Sequence, residues 1–187
     1  MVAICVPHDP RWIDQYLAEA KSIERALPHL LLSLHHIGST AVPGLIAKPI
    51  IDLMGVAKDF ADIDHARAVF EELGYQVMGA FGIEDRRYFR KLNSAGVRTH
   101  HLHIFSERSP HIERHLAFRD YFIAHPDTAV EYAAIKEELV REVGSSWDAY
   151  LDGKESFIRS AEKSALAWYR TERAAHLRHV QIGLGDP

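Results

Sequence analysis

The run IIDLMGV, residues 50–56, has the apolar content of a buried strand, yet it carries a carboxylate, Asp52, near its centre. A buried, unpaired carboxylate is costly, so such an acid is paired, hydrogen-bonded or bound to metal. Alternation along a strand puts Ile50, Asp52 and Met54 on one face. Any fold for this chain must therefore hold a strand here and bring a partner to Asp52.

Two other stretches offer one. Upstream, residues 30–37 read as a strand that ends at Gly38-Ser39. Glycine lets a ligand approach the backbone closely, and a serine hydroxyl and backbone N–H groups in such a turn suit a phosphate oxygen. Thr40 follows in the same turn, and Lys48, in the loop of residues 40–49, can neutralise a phosphate or pair with Asp52. Downstream, RTHHLHIF, residues 98–105, alternates so that His101, His103 and Phe105 share one face. If this strand lies beside that of Asp52, then Asp52, His101 and His103 form a candidate site for a divalent metal. Mg²⁺ favours oxygen ligands, whereas imidazoles favour a transition metal. On the neighbouring strand Arg86 and Arg90, which share a face with Tyr88, are candidate phosphate ligands.

The remaining pattern gives the architecture. Asp9 and Pro10 open a helix over residues 9–27. Asp59 or Asp62 caps a helix that Gly74 stops after Leu73. Residues 75–78 read as a strand, and residues 86–93 and 98–105 as a hairpin. Ser109-Pro110 opens a helix that ends at His125-Pro126, Asp127 caps the next, and a last helix runs from about Gly153 to Ala175. The expected class is α+β: one domain over residues 1–187, with a small mixed β-sheet within about 1–106 and a helical part over about 107–187.

Composition removes several classes. The 187 residues carry a net charge of −4, which gives no electrostatic argument for a nucleic-acid partner. No apolar run is long enough for a membrane span. The start, MVAICVPHDPRW, does not read as a signal peptide, and a single cysteine, Cys5, suits a reducing cytosol, so a cytoplasmic location is expected. The 13 histidines are the unusual count, and they cluster at positions 35–36, 100–103 and 111–115.

A Gly-Ser pair closing one strand, followed by an acid on the next, resembles the signature of the nucleotidyltransferase fold. HIGSTAVPGLIAKPIIDLMGV, RRYFRK, RTHHLHIF, HLAFRDYFIAHPDTAVEYAAIKEEL and YLDGKESFI together resemble the GrpB family, over roughly residues 8–170. The resemblance implies a nucleotidyltransferase-like sheet with flanking helices, in a domain also found fused to dephospho-coenzyme A kinase. It implies that Gly38 and Ser39 hold a triphosphate, that Asp52 is catalytic through a divalent metal, and that a lysine of the helical half, Lys136 or Lys154, reaches the phosphates. The superfamily usually has a second acid two residues on, where this chain has Met54. Three activities stay open: nucleotidyl transfer from a nucleoside triphosphate to an acceptor, non-catalytic binding of a nucleotide or coenzyme, and metal-dependent phosphoester hydrolysis at the His/Asp cluster. All three require a nucleotide or another phosphorylated small molecule as partner.

Overall fold

The computed structural model describes residues 5–143 and 146–182. The chain forms two compact units, Met1–Ile112 and Glu113–Pro187. The first unit holds helix α1 (Trp12–Ala26), strand β1 (Ser33–Ile37), a single 3₁₀ turn (Ser39–Ala41), β2 (Ile51–Ala57), α2 (Phe60–His65), α3 (Arg67–Glu72), β3 (Tyr75–Val77), β4 (Arg87–Leu92) and β5 (Arg98–Ser106). Helix α4 (Pro110–Ala124) begins in it, and α5 (Pro126–Val143) and α6 (Trp147–Ile182) follow in the second unit. Among the described residues no helix is long and apolar enough to cross a membrane.

The five strands form one mixed sheet in the order β1-β2-β5-β4-β3. The central pair, β2 and β5, is parallel, and all other pairs are antiparallel. Register settles which residues share a face. Asp52 lies opposite His101 and Met54 opposite His103 on β5, while Ile37 of β1 faces Asp52 from the other side. Leu53, Leu102, Ile104 and Phe89 point the opposite way, into a core closed by Trp12 and Ile23 of α1, by Leu27 just after it, and by Ile63 and Phe70 of α2 and α3. Burying each such large side chain is worth about 1.5–3 kcal/mol. The sheet is thus anchored by its apolar face, which leaves the other face able to carry polar groups.

Several element ends differ from those expected. Helix α1 starts at Trp12, and the Asp9 carboxylate accepts from the Arg11 backbone N–H and guanidinium instead of capping. Of the two candidate caps for the next helix, Asp59 fills the role by accepting from Ala61 N at 2.9 Å. That helix is interrupted at Ala66, giving α2 and α3. Asp127 lies in the first turn of α5, which begins one residue earlier at Pro126. The last helix begins at Trp147, well before Gly153. Gly153 is an interior position where a Cβ would collide with the Leu139 side chain, so the glycine permits close approach of α5 and α6.

Within the second unit the packing is aromatic. Tyr132 and Phe157 stack at 5.0 Å between ring centroids, Phe122 packs against both, and Tyr121 and His125 meet Trp168.

Candidate functional site

The polar face of the sheet concentrates its chemistry at Asp52. His101 Nδ1 donates to Asp52 Oδ1 at 3.1 Å, and His103 Nε2 lies 3.9 Å from the same oxygen. One donor atom from each of the three residues can be chosen so that all lie within 4.8 Å of one another. The parallel β2–β5 pairing makes this possible, because it puts two alternate histidines beside an acid on the adjacent strand.

Gly38 forms the lip of this site. Its φ is +71°, and a Cβ there would lie 2.6 Å from Asp52 Oδ2. Only glycine has both the conformation and the room to bring the turn against the carboxylate. Ser39 then opens the 3₁₀ turn directly beside the acid.

On the far side, Tyr88 forms the floor. Its ring lies 5.0 Å from that of His103 and 5.5 Å from that of His101. Arg86 is buried, with its guanidinium 5.0 Å from the Tyr88 ring and Nη1 3.4 Å from His103 Nδ1. A guanidinium can only donate, so this contact makes His103 Nδ1 the acceptor and leaves the proton on Nε2, facing Asp52. His101 takes the other tautomer. With Nδ1–H given to Asp52, its Nε2 lone pair is buried and has no hydrogen-bond partner among the described residues.

The electrostatics follow from this arrangement. Burial by itself would raise the Asp52 carboxyl, but hydrogen bonding to His101 and His103 outweighs it and holds the acid below the usual carboxylate range. Burial lowers His103 below the ordinary histidine value, against the pull of Asp52 and with the help of Arg86 and His101. His103 is therefore neutral at neutral pH.

This donor set fits a divalent metal ion. The atoms that converge are a carboxylate oxygen of Asp52, His101 Nδ1 and His103 Nε2, and an ion held by all three would require His101 Nδ1 to give up the proton it now donates to Asp52. Two imidazoles and one carboxylate suit Zn²⁺ or Mn²⁺ better than Mg²⁺. Coordination through His103 Nε2 requires its proton to leave and the Arg86 contact to open.

The other candidates sit at different distances from this centre. Lys48 is partly buried, and burial, then the charge of Arg98, lowers its pKa, while Cys5 and Asp52 act to raise it. It belongs to the electrostatic surroundings of the acid. Arg90 lies across from His101 on the same face, but its Nε donates to Gln76 at 2.8 Å. Thr40 is buried and bonded at 3.0 Å to His36 Nε2. His36 itself stacks on Tyr16 of α1 at 4.9 Å, so Thr40 braces the turn from behind. In the second unit, Lys136 is buried over the Tyr132 ring and Lys154 lies over Tyr150, each at helical i, i+4 spacing.

A small mixed sheet with a Gly-Ser turn set against a strand-borne acid defines a nucleotidyltransferase-like fold, and solved structures agree. "Terminal uridylyl transferase 4 from Trypanosoma brucei with bound dUTP" aligns over 77% of this chain and 51% of its own, at 15% identity and a TM-score of 0.50. The "crystal structure of conserved protein GrpB from Enterococcus faecalis" aligns far more closely, with a TM-score of 0.84 and 40% identity over 89% of this chain and 99% of that one. Residues 2–164 match the family described as "GrpB protein", and the chain belongs to that family.

Among relatives, "UPF0157 protein YqkA" of Bacillus subtilis (strain 168) is 35% identical over 90% of this chain. "Dephospho-CoA kinase" of Mycolicibacterium paratuberculosis (strain ATCC BAA-968 / K-10) is 26% identical over 87%. The chain spans about half the length of each, 49% and 46% respectively.

Proposed function

We propose that this chain binds a nucleoside triphosphate with a divalent metal ion and transfers its nucleotidyl group to an acceptor. The observation that carries the reading is the fit of Gly38 against Asp52, which sets the Gly38-Ser39 turn directly beside a carboxylate and two imidazoles. The dUTP named with the uridylyl transferase of similar fold supplies the ligand class.

In this reading the Gly38-Ser39 turn seats phosphate oxygens, and Asp52, His101 and His103 hold the metal. A metal bound there supplies Lewis-acid polarisation of the reacting phosphoryl group. Arg86 adds fixed positive charge beside His103, and Tyr88 excludes water from beneath the two imidazoles. A second reading, binding of a nucleotide or coenzyme without chemistry, is favoured by Met54. That side chain is fully buried at the position where a second acid is usual, so the second carboxylate of a two-metal site is replaced by an apolar group.

The test is calorimetric titration of ATP, CTP, GTP and UTP, each with Mn²⁺ and with Mg²⁺, alongside an assay for pyrophosphate release. Metal-dependent binding is expected, with Asp52→Asn weakening it by about two orders of magnitude or more. Ser39→Ala, which removes a hydrogen bond to a charged group, should cost about 1.5–3 kcal/mol. Binding with no pyrophosphate release against any acceptor selects the non-catalytic reading. No binding of any triphosphate by the wild type refutes both.

A further inference from the structure

Beyond Val77, the chain makes a loop that the site described above does not use. Its base is pinned by two backbone hydrogen bonds, Met78 N to Tyr88 O at 2.9 Å and Tyr88 N to Gly79 O at 2.8 Å. Its far end is tied to β5, where the Ser106 hydroxyl donates to Asp85 at 3.1 Å. At the tip, Ile83 N donates to Ala80 O, and both central residues of this turn, Phe81 and Gly82, have positive φ, +46° and +85°. Glycine adopts such a φ freely, whereas a bulky aromatic residue does so only when the surroundings impose it.

The surroundings that impose it are the buried Arg86. Its Nε and Nη2 donate to Ala80 O at 3.2 Å, and Nη2 donates to Phe81 O at 2.7 Å. The guanidinium that touches His103 therefore also fixes the Phe81 backbone. One side of the Phe81 ring meets Tyr88 at 5.4 Å, and Tyr88 in turn meets His101 and His103. Yet Phe81 is 60% exposed. Cover for Tyr88 alone does not call for a strained residue whose ring stays mostly in water.

We propose that Phe81 is the stacking platform for the base of the nucleotide whose phosphates lie at the Gly38 turn. This assignment rests on the function proposed above and specifies the ligand's other end. The chain of rings from Phe81 through Tyr88 to the two histidines links a base position to the acid without a gap. A phenyl face offers no hydrogen bonds, so it accepts any base and favours larger rings.

The experiment compares ATP with inorganic tripolyphosphate, both with Mn²⁺, on the full chain and on Phe81→Ala, Phe81→Leu and Phe81→Trp. Stacking on one aromatic residue corresponds to roughly tenfold or more in affinity. The alanine and leucine variants are expected to lose that factor for ATP while binding tripolyphosphate as the wild type does, and the tryptophan variant should retain ATP. Full ATP affinity in Phe81→Leu overturns the platform, as does an equal loss for both ligands. If the wild type binds tripolyphosphate as tightly as ATP, the platform falls and the phosphate seat stands. If it binds neither, both fall.

Discussion

Glu19 and Asp52 are both acids drawn from water against the same sheet, one on each side. Glu19, with a side chain 10% exposed, receives Lys91 Nζ on both oxygens at 2.9 and 3.0 Å, and Lys91 also lies over the Tyr75 ring. Its partner carries a permanent charge, and the pair is closed. Asp52, 30% exposed, accepts from His101 at 3.1 Å and has His103 3.9 Å away, and His101 keeps a buried Nε2 without a hydrogen-bond partner among the described residues. An acid placed for stability has a complete set of partners within the protein. Asp52 has a less complete set, which is what the proposed metal site requires.

Stability measurements are the strongest way to break this contrast. Removing one member of a buried ion pair strands the other, and with Lys91 24% exposed the expected cost of Lys91→Ala is about 2–4 kcal/mol by urea unfolding. Asp52→Asn, which preserves shape and an acceptor for His101 but loses the charge that the imidazoles favour, should cost less than Lys91→Ala. Comparable losses for the two variants would make Asp52 a structural acid like Glu19.

A smaller effect is expected at Gly38. Gly38→Ala forces a Cβ against Asp52 Oδ2 and a side chain into positive φ, and should cost about 1–3 kcal/mol. Asp52→Ala in the same chain should recover part of that loss, since it removes one of the two conflicts. Strict additivity in this double-mutant cycle would mean that the turn and the acid do not touch.

The gentlest test is pH. Burial lowers His100 and His103 below the ordinary histidine value of 6.5. The unfolded chain then takes up protons before the folded one does, so stability should fall as pH drops below about 6.5 and level off below the folded-state values. His103→Gln should flatten part of that slope. The contribution of Asp52, whose folded pKa is also depressed, is lost only at pH below the carboxylate value of 3.8. A slope unchanged by His103→Gln would mean that His103 does not report on burial at this face.

The polar half of this contrast was legible in the sequence, and the apolar half was not. Asp52 broke an apolar run, and the alternation of His101 with His103 survives any reading of the strand, so their shared face followed once β5 lay beside β2. The Glu19–Lys91 pair joins residues 72 apart, and no local pattern announces it. Arg86 is a phosphate candidate in the sequence because it shares a face with Tyr88, and its bonds to the carbonyls of Ala80 and Phe81 and to His103 were not legible there. The φ of Phe81 is held by that side chain, five residues on, and has no signature of its own. The break at Ala66 is likewise unmarked by any glycine or proline.

The parallel pairing of β2 with β5 also governs when the site can exist during folding. Gly38 and Asp52 lie on the β1–β2 hairpin, whose closure spans few residues and forms early. His101 is 49 residues from Asp52, and it arrives only after α2, α3, β3 and β4 have been laid down between them. Closing that long connection costs more entropy and comes later. The cluster is therefore complete only once the last strand in chain order has entered the middle of the sheet beside β2.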